Sequence, residues 1–329
     1  MSVLDSPFED VTIPELSITE RVFAGLAGRA DEPALIDGPS GRVLSVAALM
    51  DRTRRLAGGL AARGFGAGCV VAIMAPNLPE YAVLFHAVAW AGGTVTTINP
   101  TYTADELRYQ LRDSGAALLV TVPALLETAR AGAAGTGVRE IATLGAAEGA
   151  TPIEAMFGAP MAAQAPVDLA AHTLALPYSS GTTGLTKGVR LSHRNLVANA
   201  AQVGPVFRHA TGERTLALLP FFHIYGMLVL MNYHLAAGGV VVTMPRFDLE
   251  TMLRLIETHR VRRLYVAPPI VLALAKHPLV DAFDLGSLDY VLSGAAPLGA
   301  ELEAACASRL GCAVLQGYGM TETSPVTHA

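Results

Sequence analysis

The fold is decided by a stretch in the first third of the chain, where two apolar runs flank a segment of helical character. Residues 69–98 read CVVAIMAPNLPEYAVLFHAVAWAGGTVTTI. The run Cys69–Met74 predicts a buried strand. Asn77, with a proline two positions later and a glutamate three positions later, predicts the start of a helix. That helix is expected to end at Gly92-Gly93, before a second strand at Thr94–Ile98.

The alternation of strand and helix continues toward the C-terminus. Thr103 and Glu106 have the spacing of a capping box and predict another helix, which precedes a third strand at Ala117–Val122. Strands connected in the order βαβαβ are most simply arranged in parallel. Further strands are predicted at Thr173–Tyr178, Thr215–Leu219, Val240–Thr243, Arg263–Ala267, Tyr290–Ser293 and Ala313–Gln316. Further helices are predicted after Ser192, Asp248 and Pro297, the last of them ending at Gly311.

A region rich in alanine and glycine separates two parts of the chain. Residues 131–165 show weak periodicity and predict a surface connection. We therefore divide the chain into an N-terminal subdomain of βαβ units, residues 1–170, and a second subdomain, residues 171–329. No closing helix or strand is predicted near residue 329.

Composition excludes several classes of protein. Of 329 residues, 52% are hydrophobic and 16% are charged, which is typical of a folded globular protein. The net charge of −5 provides no positive field for nucleic acid. The three cysteines form no CxxC pair, which argues against a disulfide framework or zinc ribbon and favours the reducing cytoplasm. The apolar stretches Tyr81–Val95 and Leu216–Tyr233 are shorter than the run of about 20 residues that crosses a bilayer, so we expect no stable membrane insertion.

The most informative segment is a glycine-rich loop. Residues 178–188 read YSSGTTGLTKG, between a strand that ends near Tyr178 and another that begins near Val189. Its closely spaced backbone N–H groups, its hydroxyls and the ammonium group of Lys187 suit a polyphosphate. A flexible connection has a similar composition. The segment is not a Walker A loop, because threonine precedes Lys187 and glycine follows it.

Four segments in order along the chain resemble motifs of the adenylate-forming superfamily, which comprises acyl-CoA synthetases, firefly-type luciferases and adenylation domains. Ser179–Gly188 is similar to its phosphate-binding motif, and Leu219–Gly226 to its acyl-pocket motif. Ser293–Leu298 is similar to its adenine-binding motif, and Gln316–Glu322 to its nucleotide and magnesium motif. The residues around His223 most resemble 4-coumarate–CoA ligases. The resemblance implies an α/β fold of two stacked, mostly parallel sheets with flanking helices in five αβαβα layers, and ATP and acyl binding by the second subdomain.

The resemblance also implies a two-step ligase reaction that uses ATP, Mg²⁺ and coenzyme A (CoA). It assigns catalytic roles to Lys187, His223, Thr321 and Glu322, with Mg²⁺ at Glu322 and CoA at Arg246. By motif match, the ATP-binding residues are Ser179, Ser180, Gly181, Thr182, Thr183, Gly184, Lys187, Gly294, Ala295, Ala296, Gln316, Gly317, Tyr318, Gly319 and Thr321. The acyl-binding residues are His223, Tyr225, Met227, Val229, Leu292, Gly294, Gly317 and Met320.

The absence of charge around the acyl-pocket motif narrows the substrate. Residues 216–235 contain no Asp, Glu, Lys or Arg. The ammonium group of an amino acid would need a carboxylate partner when buried, so an amino-acid substrate is disfavoured. We expect an aryl, coumarate-like acid or a medium-chain acid.

The family's ribose-binding aspartate, hinge and small C-terminal domain with its adenylating lysine are expected after Glu322, and residues 323–329 contain none of them. We therefore expect the chain to represent most of the large N-terminal domain, without the small C-terminal domain, and to be catalytically impaired by itself. Two alternatives stay open. One is a catalytically incompetent homologue that binds nucleotide or acyl ligand, and the other is a generic α/β protein whose glycine-rich loop binds another phosphate.

Overall fold

The computed structural model describes residues 6–179 and 186–329. Part of the predicted phosphate-binding motif lies outside the described residues, namely Ser180, Gly181, Thr182, Thr183 and Gly184.

Strands and helices alternate along the chain. The strands are β1 Pro33–Asp37, β2 Val43–Ser45, β3 Val70–Met74, β4 Thr94–Thr97, β5 Ala116–Thr121, β6 Glu140–Thr143, β7 Thr151–Pro152, β8 Thr173–Ser179, β9 Lys187–Gly188, β10 Leu191–Ser192, β11 Arg214–Ala217, β12 Val240–Thr243, β13 Arg263–Val266, β14 Tyr290–Ser293, β15 Ala313–Gln316, β16 Tyr318–Gly319 and β17 Val326–His328. The α-helices are α1 Ile18–Gly25, α2 Val46–Ala62, α3 Pro79–Trp90, α4 Ala104–Ser114, α5 Leu126–Ala133, α6 His193–Phe207, α7 His234–Ala236, α8 Leu249–His259, α9 Pro268–Lys276 and α10 Ala300–Leu310. A π-helix spans Tyr225–Tyr233, and 3₁₀ turns span Pro123–Leu125, Ile153–Met156, Pro278–Ala282 and Thr321–Thr323.

The largest sheet contains the predicted βαβαβ unit. Its strand order is β10-β8-β4-β3-β5-β6-β7, and β9 pairs with β8 at one edge. β3 pairs in parallel with both β4 and β5. The parallel arrangement predicted from the alternation of strand and helix is therefore confirmed.

A second sheet, of order β11-β12-β1-β2, stacks on the first with α3 between them. α3 contacts strands of both sheets, β1 and β4, and almost all of its residues are buried. A helix that is apolar on all sides belongs between two layers. The parallel sheet β13-β14-β15 adjoins the second sheet through contacts between β11 and β13. The predicted α/β class, with mostly parallel sheets and flanking helices, is confirmed.

Strands from both sides of residue 170 pair with one another. β4 pairs with β8 in the first sheet, and β1 pairs with β12 in the second. The division of the chain at residue 170 stays a prediction. Residues 131–165, predicted as a surface connection, contribute β6 and β7 to the first sheet. Their strands were missed because short segments rich in alanine and glycine show little periodicity.

Two of the predicted helix starts, at Thr103 and Asn77, differ in outcome. Thr103 and Glu106 form a capping box at the start of α4, as predicted. The prediction that Asn77 caps α3 is wrong, because the N-cap residue is Leu78 and it makes no side-chain cap hydrogen bond. The Asn77 amide instead bonds the backbone of residues 217–221.

Within residues 6–179 and 186–329, no helix combines the length and apolar character that crossing a membrane requires.

Candidate active site

A cleft of about 410 Å³ lies where the carboxyl ends of β8 and β14 face the segment after β15. Open α/β sheets bind ligands at the carboxyl ends of their strands. The predicted site residues that line the cleft are Ser179, His223, Tyr225, Leu292, Gly294, Ala295, Gly317, Tyr318, Gly319, Met320, Thr321 and Glu322. The lining residues that sequence reasoning missed are Phe207, Ile224, Pro325, Val326, His328 and Ala329.

Two of the predicted motifs meet at one hydrogen bond. The Ser179 hydroxyl donates to Oε1 of Glu322 at 3.4 Å. Glu322 is exposed in its 3₁₀ turn, whereas Thr321 beside it is buried. In the pairing of β8 with β9, Ser179 lies opposite Lys187, which is exposed. Ser179 therefore links the strand that carries Lys187 to the turn that carries Glu322.

The acidic turn is held by a short antiparallel pair of strands at the chain end, β16 with β17. No strand was predicted there, because β16 and β17 have only two and three residues, too few to show an alternating pattern. Asn199 of α6 donates from Nδ2 to the Val326 carbonyl at 2.8 Å and accepts from the Val326 N–H at 3.1 Å. A Cβ atom on Gly319 would lie 2.2 Å from the carbonyl oxygen of Pro325, so this crossing of two backbones requires glycine.

His223 lies in the loop before the π-helix and exposes part of its ring to the cleft. Its Nδ1 accepts a hydrogen bond from the backbone N–H of Tyr225 at 3.2 Å. Partial burial desolvates the His223 ring and lowers its pKa, so the ring is neutral at neutral pH. The loop is fixed by Thr97, whose hydroxyl donates to the Phe222 carbonyl at 2.7 Å, and by the bonds of Asn77.

Tyr225 begins the π-helix and lies against the end of β14. Its hydroxyl donates to the Leu292 carbonyl at 3.4 Å, and burial raises its pKa, so the phenol stays protonated. A Cβ atom on Gly294 would lie 2.7 Å from Cε1 of the Tyr225 ring. The missing side chain therefore allows the ring to approach the strand. Ala295, next in the chain, has φ +71°, a left-handed conformation that costs an L-residue roughly 1–2 kcal/mol.

Of the predicted site residues within 6–179 and 186–329, six do not line the cleft. They are Lys187, Met227, Val229, Arg246, Ala296 and Gln316. The methionine and the valine are fully buried in the core. The glutamine side chain accepts from the N–H of Leu298 at 3.0 Å and donates to the carboxylate of Glu303 at 2.7 Å, so it connects β15 to the start of α10. The other three residues are exposed.

The acidic turn suits one type of metal site. Among the residues that the structure describes, no three His, Cys, Asp or Glu side chains gather to hold a metal ion. Mg²⁺ keeps several waters and commonly binds through one or two carboxylates together with substrate phosphates. Glu322, an exposed carboxylate at the cleft, fits a magnesium ion that arrives with a nucleotide.

Comparison with known sequences agrees with this arrangement. A family model described as AMP-binding enzyme matches residues 22–329. 4-Coumarate–CoA ligase 5 of Oryza sativa subsp. japonica is 41% identical, over 98% of this chain and 61% of that protein. 4-Coumarate–CoA ligase 3 of Arabidopsis thaliana is 36% identical, over 98% of this chain and 59% of that protein. The chain thus spans about three fifths of the length of these relatives.

Solved structures share the architecture. Apo MatB from Rhodopseudomonas palustris is 30% identical, with a TM-score of 0.84 over 95% of this chain and 61% of that one. A natural red-emitting luciferase from Phrixothrix hirtus is 27% identical, with a TM-score of 0.85 over 94% of this chain and 78% of that one. The resemblance to adenylate-forming proteins is confirmed, and the chain belongs to the family of AMP-binding enzymes.

Proposed function

We propose that this chain forms the nucleotide- and acid-binding part of an ATP-dependent carboxylic acid–CoA ligase. The hydrogen bond between Ser179 and Glu322 carries the proposal, because it joins the phosphate-binding motif to the acidic turn at one cleft. In the reaction, a carboxylate oxygen bonds to the α-phosphorus of ATP while the bond to pyrophosphate breaks. The CoA thiol then bonds to the acyl carbon while AMP leaves, which gives the thioester.

The phosphate end of the site acts by positioning and by charge. The first step gathers several negative charges, so stabilisation of charge at fixed positions supplies most of the catalysis. In the proposal, Lys187 and Ser179, with the motif residues 180–184, hold the β- and γ-phosphates. Thr321 donates to the α-phosphate. Glu322 holds Mg²⁺, which neutralises phosphate charge when bound.

The adenine end of the proposed site uses exposed backbone and one ring. Gly294 and Ala295 line the cleft at the end of β14, where little side chain separates a base from the backbone. Tyr318 is 59% exposed, so its ring face is available for stacking on adenine. Gln316 supports this end from outside the lining by fixing the start of α10. Ala296, exposed next to Ala295, would contribute its backbone to the same end.

The acid would occupy the inner part of the cleft. The uncharged lining residues proposed for the acid are Phe207, Tyr225, Leu292, Gly317 and Met320. Such a wall suits an apolar acid and leaves an ammonium group without a partner. We therefore propose a coumarate-like aryl acid or a medium-chain acid, and the similarity to 4-coumarate–CoA ligases supports the former.

Two further roles are proposed, one for His223 in the cleft lining and one for Arg246 outside it. His223 would separate the acid from the entering thiol, and Arg246 would contact CoA phosphates. Met227 and Val229 back the wall from the core rather than touch the acid.

Cys69, Cys306 and Cys312 are free thiols, which supports a reducing compartment such as the cytoplasm.

Two measurements on this chain test the proposal. Calorimetry should show Mg²⁺-dependent binding of ATP and binding of p-coumarate or octanoate, and hydroxylamine trapping should detect slow adenylate formation. Lys187→Ala and Glu322→Ala should weaken ATP binding, since each removes a charge from the phosphate end. Lys276→Ala and Glu301→Ala, at exposed positions outside the cleft, are the matched controls.

The results also separate the alternatives. ATP binding that is unchanged in both Lys187→Ala and Glu322→Ala would contradict the assigned phosphate and metal roles. Nucleotide binding without any trapped adenylate would favour a non-catalytic binding protein. Phosphate binding without preference for adenine nucleotides would favour a generic phosphate-binding protein.

A further inference from the structure

Helix α4 contacts both ends of the glycine-rich loop. The hydroxyl of Tyr178, the residue before Ser179, donates to Oδ2 of Asp113 at 2.5 Å. The hydroxyl of Tyr109 donates to the carbonyl of Thr186, the residue before Lys187, at 3.1 Å. Tyr109 and Asp113 are four positions apart, so they share one face of the helix. A single rigid element therefore holds the backbone on both sides of the loop.

The same helix is anchored to the sheet by buried hydrogen bonds. Nε2 of Gln110 donates to Oγ1 of Thr96 at 2.9 Å and to the carbonyl of Thr97 at 3.0 Å. Oγ1 of Thr96 in turn donates to the carbonyl of Leu176 in β8 at 3.0 Å. The chain of bonds runs from α4 through β4 to β8. It fixes the distance between the helix and the strand that carries Tyr178.

Tyr178 also sets how β9 pairs with β8. Tyr178 lies opposite Gly188, and Ser179 lies opposite Lys187. A Cβ atom on Gly188 would come within 3.1 Å of the Tyr178 ring, so the ring rests directly on the glycine backbone. Successive side chains of a strand point to opposite faces. While the Tyr178 side chain reaches α4, the Ser179 side chain reaches Glu322 on the other face.

The hydroxyl of Tyr178 stays protonated and can therefore always donate its hydrogen bond. Burial, together with its hydrogen bond to Asp113 and the charge of that carboxylate, raises the pKa of Tyr178. The phenol therefore keeps its proton throughout the physiological range of pH, and the bond to Asp113 persists.

We infer that Tyr109, Asp113 and Tyr178 are positioning residues, which hold Ser179 and Lys187 where the terminal phosphates of ATP bind. The inference rests on the proposed function, in which those two residues hold the β- and γ-phosphates. AMP lacks these phosphates. The three residues therefore set the preference for ATP over AMP and leave AMP binding alone.

Equilibrium binding of ATP·Mg²⁺ and of AMP to this chain tests the inference. Tyr178→Phe keeps the ring on Gly188 and removes only the hydroxyl, and Asp113→Asn removes the charge of its acceptor. We expect each to weaken ATP binding about fivefold, as for the loss of one charge-assisted hydrogen bond, with AMP binding unchanged. The double variant should bind ATP with the same affinity as the single variant that binds it less tightly, because both changes break the same hydrogen bond. Asp113→Glu, which restores the carboxylate, should recover part of the loss.

Matched controls and contrary outcomes are available on the same helix. Asp105→Asn removes an exposed carboxylate of α4 that pairs with Arg108, and it should leave both affinities unchanged. Thermal unfolding of each variant checks that it is folded, and the exposed Asp113 gives a second test if Tyr178→Phe fails to fold. The inference would be overturned if Tyr178→Phe and Asp113→Asn left both affinities unchanged. It would also be overturned if they weakened ATP binding and AMP binding by the same factor. A wild-type chain that binds neither nucleotide would instead overturn the proposed function and the inference together.

Discussion

The side-chain oxygen of Asn77 accepts a hydrogen bond from the backbone N–H of Phe221 at 2.8 Å, across 144 positions of the chain. The amide nitrogen of the same side chain donates to the carbonyls of Ala217 and Leu219 at 3.0 and 2.9 Å. One buried amide thus satisfies three backbone groups of the loop that leads to His223. The shape of this turn therefore depends in part on a side chain that is distant in the sequence.

Asn77→Ala should therefore destabilise the protein and loosen the loop. It leaves buried backbone groups without partners, and we expect a loss of about 2–3 kcal/mol in the free energy of unfolding. Urea denaturation measures this loss. Asn99→Ala, at a partly exposed residue whose side-chain oxygen accepts hydrogen bonds from Thr101 in its own loop, should cost less than about 1 kcal/mol. Equal losses in the two variants would contradict the role given to Asn77.

Gly294→Ala should narrow the cleft. The new methyl group would lie 2.7 Å from the Tyr225 ring, so the ring must move into the space proposed for the acid. We expect p-coumarate binding to weaken more than octanoate binding, because a flexible chain adapts to a narrower space. Calorimetric titration with both acids measures the difference. At Gly299, where nothing lies within 4 Å of the added methyl group, Gly299→Ala should bind both acids as the wild-type chain does.

Gly319→Ala should disrupt the turn that carries Glu322. Its Cβ atom would lie 2.2 Å from the Pro325 carbonyl, and backbone atoms cannot yield by that amount without separating β16 from β17. We expect ATP binding to be lost while most of the stability of the fold is kept, because β16 and β17 form a separate two-stranded sheet. Nucleotide titration beside circular dichroism distinguishes the two effects. Full ATP affinity in this variant would show that the turn does not contribute to the site.

Acid should destabilise the fold through His86. The ring is fully buried with Nδ1 next to the Thr19 hydroxyl at 3.1 Å, and burial, with a smaller effect of His193, lowers its pKa to about 3. In the unfolded chain the pKa is near the usual value of about 6.5, so between these values the unfolded state binds the additional proton. Stability is therefore complete above about pH 6.5 and falls as the pH falls, by about 3 kcal/mol at about pH 4.5.

Urea denaturation at about pH 7 and about pH 4.5 measures this dependence. His86→Gln removes the titrating ring and should make the dependence shallower, even if it lowers stability at both values. Asn99→Ala, which removes no titratable group, should leave the dependence unchanged. A His86→Gln protein with the wild-type dependence on pH would assign the acid sensitivity to other groups.

Local signals predicted local structure well. The strands β12, β14 and β15 have the predicted bounds, because each is a short apolar run between clear breaks. The capping box at Thr103 was readable for the same reason, since both of its partners lie within four residues. At the cleft, two residues of Ser293–Leu298, Gly294 and Ala295, meet residues 317–322 of the motif Gln316–Glu322.

Long-range relationships were not readable from the sequence. The π-helix is apolar on all sides, so no periodic pattern distinguishes Tyr225, which lines the cleft, from Met227 and Val229, which are buried in the core. Val326 lines the cleft because Asn199, 127 positions earlier, holds its backbone. Nothing near either residue in the sequence signals that pairing.

The side chains of Tyr178 and Ser179 point to opposite faces of β8, so the contacts of both depend on the number of residues in this strand. A one-residue insertion within residues 173–178 would move Tyr178 into the place of Ser179, so that a phenol would replace the serine hydroxyl beside Glu322. Substitutions elsewhere in the strand change packing by degrees, whereas a shift in register would break both connections at once. We therefore expect variants of residues 173–178 to tolerate substitutions better than changes in length. A change in length would require a new arrangement of the residues proposed to bind the phosphates of ATP.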